Sequence, residues 1–323
     1  VNAPEGLPWA RRVLVALGGN AMSAPDGSAT EAHQIAALTS AATHIADLVA
    51  AGTEVVITHG NGPQVGNLLV KNELSAAVVP PVSLDWCVAQ TQATIGFVLQ
   101  NALDRALADR GVERRTVTLV TRTLVDAADP AFANPGKPIG RYRTAAEAEV
   151  LIAQGQHWAD LGDRGWRRVV PSPVPIRVVD APVGAQLAGL GHIVILAGGG
   201  GVPVVDGEHG LVGVEAVIDK DLAAAVLAKD LGADVLVIAT DVEAAVLSWG
   251  TPQARSLGRV TVAEMTAYQA QGHFAAGSMG PKVAAVTSFV ADGGRAGVIT
   301  RLDRLAEALT RPLGTVGTVI TPG

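Results

Sequence analysis

Two lysines occupy positions that helix electrostatics disfavours. Lys220 lies in VEAVIDKDL (214–222), where Asp219 and Asp221 mark a helix start, and Lys282 follows Gly277-Ser278-Met279-Gly280-Pro281, with proline suited to a first helical turn. A cation at a helix N-terminus opposes the helix dipole, so two such placements call for an anion nearby. Three glycine-rich turns offer somewhere to hold one: Gly18-Gly19-Asn20, Gly60-Asn61-Gly62 and glycines 198–201, each after a short apolar run. Glycine lets backbone N–H groups approach an anion closely. Loop sterics explain any one of these turns; three after core strands point to a phosphate or small-anion cleft.

The common alternatives lack their residues. Gly136-Lys137 is followed by Pro138, so the phosphate loop G-x-x-x-x-G-K-[ST] is absent, and no G-x-G-x-x-G follows the first strand. One cysteine and seven histidines without H-x-x-x-H spacing give no zinc pattern, and no G-x-S-x-G marks a hydrolase elbow.

The elements that must position these residues alternate along the chain. Strand signals at 12–17, 54–58, 115–120, 192–197, 234–239, 295–300 and 316–320 are continuous apolar runs, the pattern of a buried parallel sheet. Helical patterns lie between them: one stacks Ile35, Leu38, Ala42, Ile45 and Leu48 and stops at Gly52, and others cover 91–107, 219–231 and 281–290. Such alternation predicts an α/β fold with right-handed crossovers. The stretch 126–179 departs from it, with six prolines and a cluster of aromatics, and reads as a small inserted subdomain.

Composition excludes other classes. The 323 residues are 49% hydrophobic and 17% charged, enough to bury a large core, with a formal charge of −6 that argues against nucleic-acid binding. No apolar run nears the ~18 residues of a membrane span, and residues 1–10 show no secretory pattern. The lone Cys87, inside an apolar run, reads as a small buried hydrophobe and fits a reducing cytoplasm. Of 24 cationic residues only five are lysines: Lys71, Lys137, Lys220, Lys229 and Lys282.

Longer segments carry a specific resemblance. ALGGNA (16–21), THGNGPQVGNLL (58–69), DWCVAQTQATIGFVLQNAL (85–103), KPIG (137–140), GGGGVPV (198–204), GVEAVIDKDLAA (213–224), ATDVE (239–243) and AGSMGPKV (276–283) resemble carbamate kinase, in that family's order. The resemblance implies the amino-acid kinase fold, a three-layer αβα sandwich with a mostly parallel central sheet. It implies an acceptor lobe (about 11–212), a protruding subdomain (about 126–179) and a nucleotide lobe (about 213–323).

It also implies ATP + carbamate ⇌ ADP + carbamoyl phosphate with Mg2+, in a cytoplasmic homodimer built on the 85–103 helix region. Gly18, Gly19, Asn20, Gly60, Asn61 and Gly62 would then bind carbamate and the transferring phosphoryl group. Lys220 would stabilise charge on that group, Asp219 would orient the lysines, and Lys137 would reach the phosphoryl end of carbamoyl phosphate. Lys282 would hold the ATP phosphates, with Thr240, Asp241, Val242, Gly277, Ser278 and Met279 around the nucleotide.

Some positions depart from the family pattern. Arg141-Tyr142-Arg143 replaces Pro-Phe-Tyr after KPIG, Val174 stands where a lysine is expected, and Glu243 and Val246 replace an Asp and a Tyr. The first two changes bear on acceptor closure and identity, the last pair on the adenine pocket. Arg141 and Arg143 suit a carboxylate, so a kinase for another small carboxylate or carbamate-like acceptor is one alternative. A non-catalytic nucleotide sensor on the same fold is the other.

Overall fold

A computed structural model of the chain describes residues 10–18, 30–275 and 277–323; the expected site residues Gly19 and Asn20 lie outside them. Eight strands form the central sheet, in the order Arg259–Thr261, Thr318–Thr321, Ala296–Arg301, Val235–Thr240, Arg12–Leu17, Glu54–His59, Ile193–Ile195, Thr116–Thr118. The last six run parallel; Thr318–Thr321 is antiparallel to its neighbour Ala296–Arg301 and parallel to the edge strand.

Apolar runs become central strands here because both faces of the sheet are covered. Val13, Val15 and Leu17 pack against the helices Glu31–Ala50 and Leu84–Ala108 on one face. Leu14 and Ala16 pack against Ala181–Gly189, Lys220–Asp230 and Met279–Ala291 on the other. The architecture is the expected three-layer αβα sandwich.

Local signals explain most element ends. Thr30 caps the first helix by accepting the His33 N–H at 3.3 Å, and Gly52 ends it at φ +96°. Ile35, expected on its buried stripe, is exposed, and Ala41, Ala46 and Val49 complete that stripe instead. The helix expected from residue 91 starts seven residues earlier, at Leu84, and encloses the fully buried Cys87. The strands expected at 115–120 and 192–197 are trimmed to Thr116–Thr118 and Ile193–Ile195.

Within 126–179, the strands Lys137–Arg143, Trp166–Val170 and Trp158–Asp160 make a small antiparallel sheet with the helix Ala145–Ala153. It rests on the helix Gly62–Ser75 through a glycine contact: a Cβ on Gly66 would lie 3.4 Å from the Gly140 Cα. Gly140 itself has φ +67°. The strand Pro175–Val178 belongs instead to a separate four-stranded sheet with Arg122–Val125, Val202–Gly207 and Gly210–Gly213.

Candidate active site

In an open parallel sheet, ligands collect where the chain order reverses, at the carboxyl ends of the strands. That point lies here between Arg12–Leu17 and Val235–Thr240. The two strand ends are stitched together, since Gly18 N–H donates to the Ala239 carbonyl at 2.9 Å and Gly60 N–H to the Leu17 carbonyl at 3.1 Å. A Cβ on Gly18 would stand 3.1 Å from the Ala239 oxygen, so any larger residue would crowd this close approach.

The next turn leads into the helix Gly62–Ser75. Asn61 occupies the N-cap position, but its side chain makes no capping bond and donates instead to Thr91 Oγ1 at 2.9 Å. Its side chain is therefore turned toward the Leu84–Ala108 helix, and what this turn offers the crevice is backbone. Gly62 is exposed, with open space where a Cβ would go.

Three lysines meet two carboxylates at the start of the helix Lys220–Asp230. Asp219 caps that helix through Oδ1, accepting from the Asp221 and Leu222 N–H groups, and its Oδ2 accepts from Lys137 Nζ at 2.6 Å. Asp221, with 5% of its side chain exposed, takes Lys220 Nζ on Oδ1 at 2.7 Å and Lys282 Nζ on Oδ2 at 3.0 Å. The orienting work expected of Asp219 alone is thus divided: Asp219 holds Lys137, and Asp221 holds Lys220 and Lys282. The sequence marks Asp221 only as part of a helix start, which the dipole explains fully, and gives no sign of its pairing with two lysines.

Three ammonium groups against two carboxylates leave a net positive charge in a half-buried crevice, which favours an anion strongly. Burial, then the nearby Lys282, pull the Lys220 pKa below its ordinary value against the opposing pull of Asp221. Burial pushes the Asp219 carboxyl up, but the charge and hydrogen bond of Lys137 and two backbone N–H groups outweigh it and hold Asp219 low. Both shifts follow from burial together with close charged partners.

A cavity of about 250 Å3 adjoins this cluster, lined by Thr240, Asp241, Val242, Ser278, Met279 and Lys282 together with Val246, Trp249, His273 and Phe274. Gly277 sits beside Ser278 at the start of the helix Met279–Ala291, whose N-cap Ser278 makes no side-chain capping bond. Lys282 belongs to both places: it lines the cavity and reaches Asp221. Trp249 stands at the rim, 75% exposed, and nothing in its local sequence signals a place in this wall.

Two expectations are corrected. Glycines 198–201 are buried and line no open turn: Cβ atoms on Gly198 and Gly199 would collide with the His59 ring and the Asn61 side chain. Arg143, expected near the acceptor, is bound to Glu73 at 2.5 Å and Glu147 at 2.9 Å, and Arg141 lies 3.9 Å from the same Glu73. These arginines tie the small sheet to the Gly62–Ser75 helix, which removes the reason for assigning them a substrate carboxylate. Val174 is exposed, and Val246 lines the cavity.

The pattern of the amino acid kinase family matches residues 11–301. A carbamate kinase of Thermococcus kodakarensis is 47% identical over 94% of this chain and 98% of that protein. The chain belongs to the carbamate kinases of the amino acid kinase family. A solved structure of a carbamate kinase from Giardia lamblia bound to AMP-PNP superposes with a TM-score of 0.91 at 40% identity, covering 98% of this chain and 99% of that one. A carbamate kinase-like protein of Escherichia coli is 43% identical over 94% of this chain and 97% of its own length. Among the described residues, no helix of this family member is long and apolar enough to cross a membrane.

Proposed function

We propose that the chain transfers a phosphoryl group reversibly between ATP and carbamate, giving ADP and carbamoyl phosphate. The observation that carries this reading is Lys282, shared between the cavity and the lysine–aspartate cluster, so that a nucleotide in the cavity would place its phosphates among Lys282, Lys220 and Lys137. The base and ribose would occupy the space between Thr240–Val242 and Ser278–Met279. In this reading Gly18, the 60–62 turn and the exposed start of the Gly62 helix would hold the acceptor end.

Phosphoryl transfer asks the protein for in-line positioning and charge neutralisation. The attacking carbamate oxygen is already anionic and needs no general base; it bonds to the γ-phosphorus as the bond to the ADP oxygen breaks. Lys220 would follow the moving phosphoryl group and Lys137 would stabilise the acceptor side, each exchanging its aspartate for phosphate oxygens.

A magnesium ion fits this site as part of the nucleotide. Among the described residues no three His, Cys, Asp or Glu side chains gather as a metal cage, and both Asp221 oxygens hold ammonium groups. Mg2+ that keeps its waters and rides on ATP phosphates needs no such cage, and it would neutralise charge on the β and γ oxygens.

The acceptor lobe, nucleotide lobe and protruding subdomain keep the boundaries given above in this reading. A homodimer would use the Leu84–Ala108 helix, where exposed Trp86 and Phe97 lie eleven residues, about three turns, apart and so on one face. Light scattering at the mass of one chain would remove the dimer. A lone buried thiol and an ATP substrate support a cytoplasmic setting for this reaction.

The test is a coupled assay for ATP from ADP and carbamoyl phosphate. Turnover is expected, with at least a thousandfold loss in Lys220→Ala and an unchanged circular dichroism spectrum. Nucleotide binding without turnover would sink the reading in favour of a sensor. Turnover only with another acyl phosphate would favour a different acceptor.

A further inference from the structure

His59 ends a central strand, is wholly buried, and has no part in the mechanism above. Its Nδ1 lies 2.7 Å from the Gly60 carbonyl oxygen. A carbonyl only accepts, so the proton sits on Nδ1 and fixes the tautomer. Strand alternation decides which way the ring points. Val56 packs on the sheet face that carries the Lys220–Asp230 helix and Ile57 on the face that carries Leu84–Ala108. His59 therefore shares the face of Ile57, in agreement with the approach of both His59 and Gln92 to Gly198.

The Gly60 carbonyl points at that ring, toward the Leu84–Ala108 face. No described peptide bond is cis, and in a trans peptide the N–H lies opposite the carbonyl. The Asn61 N–H is therefore aimed at the other face, where Lys220 stands. It has no hydrogen-bond partner among the described residues, although the residue is buried and its side chain is anchored to Thr91. A buried donor with no partner among the described residues, on the face that carries Lys220, suits an anionic oxygen.

We propose that His59 is a positioning residue for phosphoryl transfer: its Nδ1–H holds the Gly60 carbonyl so that the Asn61 N–H donates to an oxygen of the acyl phosphate. The inference rests on the phosphoryl-transfer reading above. It adds to that reading the residue that orients one backbone donor. Burial holds the ring neutral, with the pKa lowered to about 4 despite the opposing pull of the Gly60 carbonyl.

Three variants decide it, assayed with ADP, Mg2+ and carbamoyl phosphate. His59→Leu removes the donor and is expected to lower kcat at least a hundredfold, the scale of losing one oxyanion donor, with ADP KM within threefold of wild type. His59→Asn places an amide donor near the Nδ1 position and is expected to recover kcat to within tenfold of wild type. His59→Gln reaches toward the Nε2 position and is expected to stay near the leucine variant.

A merely structural role would lower melting temperature without ordering kcat by donor position. The inference is overturned if His59→Leu keeps more than a third of wild-type kcat, or if Asn works no better than Gln. Should the leucine variant fail to fold, the Asn–Gln pair alone decides. Should wild type show no turnover, the function reading has failed instead. The Asn61 amide resonance, titrated with inorganic phosphate, then decides: a shift in wild type and His59→Asn but not His59→Gln supports the orientation, and no shift in wild type overturns it.

Discussion

The turns at 60–62 and 198–201 follow adjacent parallel strands and are both rich in glycine, yet they use it differently. In the first, glycine leaves space: Gly62 is exposed at an uncapped helix start with nothing where a Cβ would stand. In the second, glycine removes space. Gly199, Gly200 and Gly201 have φ values of +67°, +95° and +88°, and Cβ atoms on them would meet Asn61, Ile218 and Thr123. The buried run is a spacer. It touches Asn61 on one side and Ile218, next to Asp219, on the other, so it lies between the 60–62 turn and the lysine cluster. The same residue type thus leaves open space in one turn and permits close packing in the other.

The joint between the two turns is His59, which donates to Gly60 and packs on Gly198, and its titration should produce the largest effect. Because the folded pKa is about 4 against an ordinary 6.5, the unfolded chain takes up a proton that the folded chain refuses as pH falls through that window. Folding is expected to lose about 3 kcal/mol between pH 6.5 and 4, at 1.36 kcal/mol per unit, and to keep that contribution above pH 6.5. Urea melts of wild type and His59→Asn at pH 7 and 4.5 check this; equal losses in both would remove His59 as the cause.

The contrast itself is tested by two alanines. Gly199→Ala must place a methyl group 2.1 Å from the Asn61 amide at a positive φ, and a loss of about 2 kcal/mol in denaturant unfolding is expected. Gly62→Ala is expected to change stability by less than about 0.5 kcal/mol. It should nevertheless raise the carbamoyl phosphate KM about tenfold if the 60–62 turn holds the acceptor end as proposed, because its methyl group would fill open space there. Equal stability losses in the two variants would abolish the distinction between surface and spacer.

The smallest effect is expected away from both turns. Arg143→Ala breaks the pairs with Glu73 and Glu147 and should cost about 1 kcal/mol, with carbamoyl phosphate KM within threefold of wild type. A much larger KM rise with unchanged stability would return Arg143 to the acceptor site.

How much of this could be read from the chain follows from the range of each interaction. The helix starting at Lys220 declared itself through Asp219, whose cap acts over two or three residues, and the central strands through continuous apolar runs. Lys220 and Lys282 stood out because each opposes its own helix dipole, a conflict visible within one turn. The role of Asp221 was hidden, since its second lysine lies 61 residues away. The fate of Arg143 was hidden for the same reason, because Glu73 lies 70 residues back on another helix.

Residue types, caps and periodicity by themselves determined the α/β class with a buried parallel sheet, the glycine-rich strand ends and the lysines at two helix starts, because these depend on contacts within a few residues and on the burial of whole strands. Tertiary structure alone decided which carboxylate holds which lysine, which glycine turn stays open, and that Lys282 joins the cluster to the cavity. Those outcomes depend on distances of 2.6 and 3.0 Å between groups 82 and 61 residues apart, Lys137–Asp219 and Lys282–Asp221, and local propensity carries no information about such distances.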